Sequence, residues 1–204
     1  MAYSIEEEQE INQLKEWWKE NGKSIIVAFI LGVSGVLGWR YWQTYQTNQI
    51  IEASAGYDAL IYSAEQDLTA KKAKLTEFVQ ANSQTSYAVF ALFDEAKKAV
   101  EKQDFISAEA VLQDALKQSQ DEILTSLAAL RLSAVQFQLG QLDSALSNLN
   151  QVKSTGFIAR KALLTGDIQL AKGESGAAKM SFEQALKVGG PLEQQAAQMK
   201  LNNL

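Results

Sequence analysis

The 204-residue chain contains no cysteine, no histidine and a single proline. It therefore lacks the thiol and imidazole groups that most often serve as covalent nucleophiles, general bases and zinc ligands. Without cysteine, neither a disulfide nor lipoprotein processing is possible. The stretch Gly173 to Gly176 is no phosphate loop, because it lacks the Lys-Ser/Thr of that motif. We therefore predict that the protein is not an enzyme and has no catalytic residue, cofactor or metal site.

Positive charge is also in short supply. The chain has 24 acidic residues against 19 lysines and arginines, which gives a net charge of −5. Proteins that bind nucleic acids usually concentrate positive charge on one surface, so this balance argues against nucleic acid as a partner. Alanine, leucine, glutamine, glutamate and lysine dominate the chain after Tyr45. This composition predicts an all-α fold.

One long uncharged run lies near the N-terminus, from Ser24 to Trp39, between Lys23 and Arg40. A membrane-spanning helix needs about 20 residues, and the aromatic residues that follow Arg40 are typical of a membrane interface. We therefore predict a transmembrane helix over residues 22–45. A buried helix of a soluble protein is disfavoured by the charged flanks and the aromatic cluster. A cleaved signal peptide is disfavoured because no small-residue cleavage site follows the run.

Small residues occur at helical spacing inside the predicted span. They are Ala28, Gly32, Gly35 and Gly38. Such a face lets transmembrane helices approach each other closely, which predicts a packing site for a partner helix. Glycine is also simply common in membrane spans, so both interpretations stay open.

The basic residues around the span are distributed unequally. Lys15, Lys19 and Lys23 precede it, whereas Arg40 is the one basic residue close behind it. By the positive-inside rule, the tail over residues 1–21 is predicted to be cytoplasmic and the rest of the chain to lie outside. In a Gram-negative bacterium this describes a single-pass inner-membrane protein with a periplasmic domain. The tail carries an apolar stripe: Ile11, Leu14, Trp17 and Trp18. Such a stripe either lies on the membrane surface or contacts a cytoplasmic partner.

A pattern of small and large residues recurs after residue 83. In the clearest copy, Gly166 precedes a turn at Gly173, and Ala178, Phe182 and Ala185 follow at helical spacing. The corresponding residues of the two earlier copies are Ala96, Gln103, Ala108, Leu112 and Ala115, and Ser133, Gly140, Ala145, Leu149 and Val152. The marker alanines, Ala108, Ala145 and Ala178, are 37 and 33 positions apart. This order and spacing resemble the tetratricopeptide repeat, which has a period of about 34 residues and two helices that cross at small residues.

Helices are also predicted before and after these three repeats. Residues 46–82 carry apolar residues at helical spacing, which predicts a helix pair over 46–65 and 68–81. Pro191 suits the first turn of a final capping helix, so residues 83–204 are predicted to hold three repeats and this cap. The predicted fold is all-α: a single N-terminal transmembrane helix followed by a tetratricopeptide-like helical-repeat solenoid.

The repeat register also predicts a partner-binding surface, since solenoids of this kind bind partners on their concave side. Its residues are Phe90, Phe93, Lys97, Val100, Leu127, Leu130, Ala134, Phe137, Arg160, Leu163, Asp167 and Leu170. Most are apolar, and the three charged residues are predicted to be isolated. Such a surface favours a chain segment or a partner helix over a peptide carboxylate. The alternative is that the helix pair 46–82 fills the groove and that these residues belong to the core.

Three local sequences extend the resemblance to the whole chain. They are Glu20–Lys23, Gly38–Trp42 and Met199–Leu204. Together with the span and the repeats, they resemble the YfgM family, the ancillary subunits of the SecYEG translocon in Gram-negative bacteria. The resemblance implies an inner-membrane protein that associates with the translocon, with a PpiD-like periplasmic chaperone and with emerging secretory chains. The alternative function is a tethered envelope scaffold or regulatory protein that is unrelated to secretion.

Overall fold

The computed structural model describes residues 5–63 and 67–204, which form helices and no strands. The helices are α1 Ile5–Ile61, α2 Leu68–Ala81, α3 Ser86–Glu101, α4 Phe105–Gln118, α5 Glu122–Gln138, α6 Leu142–Leu149, a 3-10 helix Thr155–Phe157, α7 Ile158–Ala171, α8 Ser175–Val188 and α9 Pro191–Asn202. The chain divides into two compact units, Met1–Ile51 and Glu52–Leu204. Helix α2 has the predicted bounds, whereas the helix predicted over 46–65 is the last part of α1 and ends at Ile61.

Helix α1 continues without interruption through most of the predicted tail and all of the predicted span. Local contacts support it at Gly22, where a helix is weakest. The Asn21 side chain donates to the Trp17 carbonyl over 3.0 Å, and the Trp18 ring lies 3.1 Å from where a Cβ on Gly22 would be. The apolar side chains of the span are exposed, and the helix is long and apolar enough to cross a membrane. The prediction of a single N-terminal transmembrane helix is confirmed to this extent.

The unit Glu52–Leu204 is a tetratricopeptide-like stack of helix pairs, as predicted. The repeat markers are buried in all three copies: Ala96, Ala108, Leu112 and Ala115; Ser133, Ala145, Leu149 and Val152; Gly166, Ala178, Phe182 and Ala185. The small residue of the first helix and the large residue of the second meet directly in the third repeat. A Cβ on Gly166 would lie 2.4 Å from Cε1 of the Phe182 ring. The absence of a side chain at Gly166 is therefore what lets α7 and α8 approach.

The turn between the two helices of each repeat has one backbone geometry. Gln103, Gly140 and Gly173 occupy the same register position, and their φ angles are 59°, 72° and 80°. This left-handed region suits glycine and is strained for residues with a Cβ. Gln103 thus confirms the register that assigns it to the turn, and it adopts there a conformation that glutamine rarely adopts.

The core consists of three buried clusters that follow one another along the stack. From α2 to α9, each helix packs against its neighbours in sequence, and α3–α5, α5–α7 and α7–α9 also touch. A buried hydroxyl secures the connection after α6, because Ser126 Oγ accepts hydrogen bonds from the amides of Lys153 and Ser154, each over 3.0 Å. The stack therefore holds its helices in a fixed order, and the first helices of successive repeats, α3, α5 and α7, lie side by side.

Candidate partner-binding surface

The α3 part of the predicted surface is an aromatic cluster. Phe90 is 36% exposed, and its ring contacts Tyr87 edge to face with 5.9 Å between centroids. Tyr57, from the end of α1, lies 5.7 Å from Tyr87 and 6.4 Å from Phe90. Its hydroxyl donates to Oδ2 of Asp94 over 2.5 Å. The end of α1 thus packs on the α3 part of the predicted surface and leaves Phe90 partly accessible.

Phe93 belongs to the core and offers a partner little surface. Its side chain is 6% exposed, and the guanidinium of Arg131 lies over its ring, 4.5 Å from the centroid. A cation above an aromatic face is attracted by the ring quadrupole. Arg131 therefore covers Phe93 from α5 and places a positive charge on the surface where the sequence predicted a phenylalanine.

The remaining apolar members of the surface fall into two groups. Four are partly buried and pack against the core clusters: Leu127, Leu130, Phe137 and Leu163. Val100 and Leu170 are 38% and 41% exposed, and Ala134 is partly buried. The accessible apolar area of the surface is therefore provided chiefly by Phe90, Val100 and Leu170, with the partly buried side chains between them.

The prediction that the three charged residues are isolated is wrong. Lys97 Nζ lies 3.8 Å from Glu101, Arg160 Nε donates to Glu193 over 3.2 Å, and Lys200 donates to Asp167 over 2.5 Å. The last two pairs join α7 to the capping helix α9. Arg160 and Asp167 are thus engaged with α9, whereas Lys97 forms only a long, exposed ion pair within its own helix.

The Arg160–Glu193 pair also shifts the titration of its carboxylate. The pKa of Glu193 is lowered from its ordinary value of 4.5, first by a hydrogen bond from its own backbone amide and then by the Arg160 side chain. A carboxylate at the first turn of α9 is further favoured by the positive end of the helix dipole. Glu193 is therefore held ionised, which keeps the contact between α7 and α9 charged.

Sequence reasoning missed the partners of these residues, although a signal was present. Arg160 and Glu193 are 33 positions apart, and so are Asp167 and Lys200. Residues one repeat apart lie at matching places on neighbouring first helices, so opposite charges at the repeat period predict a contact. The contacts of Arg131 with the Phe93 ring and of Asp94 with the Tyr57 hydroxyl involve no pair of opposite charges, so they lacked this signal. Among the described residues, no group of three or more metal-ligating side chains comes together.

Comparison with known proteins extends the resemblance over the whole chain. Residues 15–204 match the family model described as a tetratricopeptide repeat-like domain. A protein of Haemophilus influenzae is 74% identical over 204 residues, with full coverage of both chains, and its name is ancillary SecYEG translocon subunit. Proteins with the same name from Aggregatibacter actinomycetemcomitans and Escherichia coli are 51% and 34% identical. The alignment with the Aggregatibacter actinomycetemcomitans protein covers both chains fully. The alignment with the Escherichia coli protein covers 97% of this chain and 96% of the relative. The chain belongs to this family of ancillary SecYEG translocon subunits.

Membership of the ancillary SecYEG translocon subunit family agrees with the anchor that the sequence predicts. With α1 long and apolar enough to span a bilayer, the protein is membrane-anchored, and nothing in the family indicates catalytic activity. The predicted packing residues Ala28, Gly32, Gly35 and Gly38 are exposed on α1, and nothing lies within 4 Å of a Cβ built on any of the three glycines. Their role in helix packing remains a prediction. No solved structure matches the chain.

Proposed function

We propose that this protein is an ancillary, membrane-anchored subunit of the SecYEG translocon. The observation that carries the proposal is the similarity to relatives of that name over the full length of both chains. The alignment includes the N-terminal anchor as well as the repeat domain, so it is not the similarity of a common repeat module alone. A protein that assists a membrane channel must be held beside it, and a single spanning helix provides that restraint.

We also propose that the tail over residues 1–21 is cytoplasmic and that the repeat domain lies in the periplasm. The support is the excess of lysine before the span, with Lys15, Lys19 and Lys23 on one side and Arg40 on the other. In this orientation the repeat domain meets secretory chains as they leave the channel.

The repeat domain is proposed to link translocation to a PpiD-like periplasmic chaperone and to bind emerging chains through apolar contacts. Phe90, Val100 and Leu170 give the first helices accessible apolar area, while Arg160 and Asp167 are engaged with α9. An unfolded secretory chain or a partner helix exposes apolar side chains, which fit such a surface. Affinity is then expected to come from buried apolar area and to depend little on charge.

Photocrosslinking in living cells tests this proposal. A benzoylphenylalanine at position 90 should capture a translocon subunit, the chaperone or a nascent secretory chain. The matched control is position 180, since Met180 is an exposed apolar residue of α8, a second helix of its repeat. Capture from position 90 of envelope proteins unrelated to secretion, with none of the three expected partners, would favour the alternative of a tethered scaffold.

A titration separates apolar from ionic recognition. In full-length protein, Phe90→Ser and Leu170→Ser together should weaken binding of an unfolded chain, whereas Met180→Ser should not. High salt should leave the wild-type affinity nearly unchanged, because charges are screened within about 10 Å at 0.1 M salt and apolar contacts are not. Binding that vanishes in salt, or that survives in a folded double variant, would assign the partner to another surface.

A further inference from the structure

All four tryptophans of the chain lie on α1, in two pairs at the ends of its apolar run. Trp17 and Trp18 come before the run, and Trp39 and Trp42 lie at its other end. The four side chains are between 51% and 64% exposed. Tryptophan is enriched where a membrane meets water, because its ring is apolar and its N–H needs a hydrogen-bond acceptor. The predicted span includes the second pair, whereas the first pair belongs to the predicted tail.

A close contact with Gly22 brings the Trp18 ring to the start of the predicted span. Gly22 is buried, and a Cβ built on it would lie 3.1 Å from Cε2 and 3.2 Å from Nε1 of the ring. The indole therefore covers the residue one turn further along the helix, in the direction of the apolar run. Glycine leaves room for this arrangement, because a side chain at position 22 would compete with the ring for the same space.

The distance along α1 between the two aromatic pairs matches the thickness of a bilayer. Trp42 lies 20 positions after Gly22, and the helix is unbroken between them. At a rise of 1.5 Å per residue this is about 30 Å, which is the thickness of the hydrocarbon core. Trp17 and Trp42 are 25 positions apart, or about 38 Å, and so fit within the roughly 40–45 Å that includes the headgroups. Both pairs can therefore lie at the two interfaces of one membrane.

The arrangement around the helix also fits a bilayer. Consecutive helical residues point about 100° apart, so Trp17 and Trp18 face different directions. A partner helix packs along one side of α1, whereas a membrane interface surrounds the helix and accommodates both rings. The charges agree with this boundary, because Lys23 lies next to Gly22 and the next charged residue is Arg40.

We propose that Trp17 and Trp18 lie in the headgroup interface of the bilayer and that the Trp18 ring, held on Gly22, sets the depth of α1 at the N-terminal end of the span. Helix α1 then leaves the membrane as a straight continuation of the span. Ile11 is 11 positions before Gly22, about 16 Å along the helix, whereas the headgroup layer adds only about 5–8 Å on each side of the hydrocarbon core. The apolar stripe of the tail is thereby divided, since its tryptophans contact lipid and Ile11 lies in water. Because both leaflets offer such an interface, this assignment holds in either orientation and does not depend on a role at the translocon.

Fluorescence quenching in vesicles of phosphatidylethanolamine and phosphatidylglycerol measures the depth of one tryptophan at a time. Full-length protein keeps Trp18 alone when Trp17, Trp39 and Trp42 are replaced by phenylalanine, and circular dichroism checks that the helix content is unchanged. Lipids brominated near the headgroup should quench Trp18 more than lipids brominated at the end of the acyl chain. Iodide, present on both sides of the membrane, should quench it at least about threefold less than a tryptophan exposed to water.

Three matched variants carry one new tryptophan each, in a background in which phenylalanine replaces all four native ones. Ile106→Trp, at a 74% exposed position of α4, reports the water, and Leu31→Trp, at a 68% exposed position of α1, reports the hydrocarbon core. Ile11→Trp is the discriminating variant, and iodide should quench its tryptophan as strongly as that of Ile106→Trp.

Two results would overturn the proposal. If iodide quenches Trp18 as strongly as the tryptophan of Ile106→Trp, the first aromatic pair lies in water and the span is anchored at its far end alone. If the tryptophan of Ile11→Trp is protected from iodide as well as Trp18 is, the tail lies along the membrane surface instead of leaving it.

Discussion

The contact between Gly166 and Phe182 allows a quantitative test of the repeat register by the substitution Gly166→Ala. A Cβ at this position would lie 2.4 Å, 2.6 Å and 2.8 Å from three atoms of the Phe182 ring, whereas ordinary contacts begin at 3.4 Å. The ring must therefore move by about 1 Å. Because Phe182 is completely buried, the movement has no free volume to use.

The expected destabilisation follows from two opposing effects. Overpacking of a close-packed core costs about 1–3 kcal/mol, and an overlap this severe belongs at the upper end. Replacing a helical glycine by alanine returns about 1 kcal/mol. The free energy of unfolding should therefore fall by about 2 kcal/mol, and the melting temperature by about 4–8 °C for a chain of this size.

Thermal unfolding of the full-length protein in detergent, followed by circular dichroism, measures the change. Gly176→Ala is the matched control, because Gly176 also lies in a helix and nothing lies within 4 Å of the place that its new methyl group would take. This control should leave the protein as stable as the wild type or stabilise it by about 0.5–1 kcal/mol. A Gly166→Ala variant that melts at or above the wild-type temperature would refute the assigned contact.

A double-mutant cycle makes the test specific to the pair. Phe182→Leu alone should destabilise by leaving a cavity, since it removes buried volume. Combined with Gly166→Ala, it recreates the alanine and leucine found at the same positions of the first repeat, Ala96 and Leu112. The double variant should therefore be more stable than the sum of the single effects by about 1–2 kcal/mol. Additive effects would show that the two side chains do not share one space.

Three further outcomes are expected. Because both turns have positive φ, Gln103→Gly should stabilise the protein by about 1 kcal/mol and Gly140→Gln should destabilise it by a similar amount. Nothing lies within 4 Å of a Cβ on Gly140, so the second effect is one of backbone conformation, and unchanged melting temperatures would contradict the prediction. The pKa of folded Glu193 is lowered, first by its own backbone amide and then by Arg160, so the ionised carboxylate stabilises the fold above pH 4.5 and this contribution is lost as the pH falls through the lowered value. The stability difference between wild type and Glu193→Gln should therefore shrink on acidification, and a difference that is constant down to about pH 2 would speak against these contacts of the ionised carboxylate. A reporter that is active only outside the cytoplasm should be active when fused after Leu204, and activity of a cytoplasm-specific reporter there would reverse the proposed orientation.

The sequence predicted the repeat domain well because its signal is local and periodic. Small residues such as Ala96 and Gly166 are required where two helices cross, so their spacing reveals the register without further information. The charged contacts are different, since Arg160 and Asp167 pair with residues one full repeat away and resemble isolated surface charges when read within their own helix. Burial was hard to predict for the same reason: Phe93 has the register of a surface residue, yet Arg131 of the next first helix covers it.

The continuity of α1 was also beyond a reading of local patterns. The prediction divided the chain between Asn21 and Gly22 into a tail and a span, and it did not say whether one helix runs through both. In the structure the backbone is helical across this point, where Asn21 bonds back to Trp17 and the Trp18 ring lies beside the glycine. Side-chain contacts within one turn decide such cases, and hydrophobic periodicity does not report them.

The neighbour-to-neighbour packing of the stack has a consequence for how the chain reaches its native state. Helices α2 to α9 contact only helices that are one or two places away in sequence, apart from weaker contacts. Loop-closure entropy is therefore small at every step, and topologies of this kind fold rapidly. Each helix pair can pack as soon as the next first helix has been synthesised, in the order in which the ribosome delivers it. The domain thus has no helix among α2 to α9 that must wait exposed for a partner from the far end of the chain.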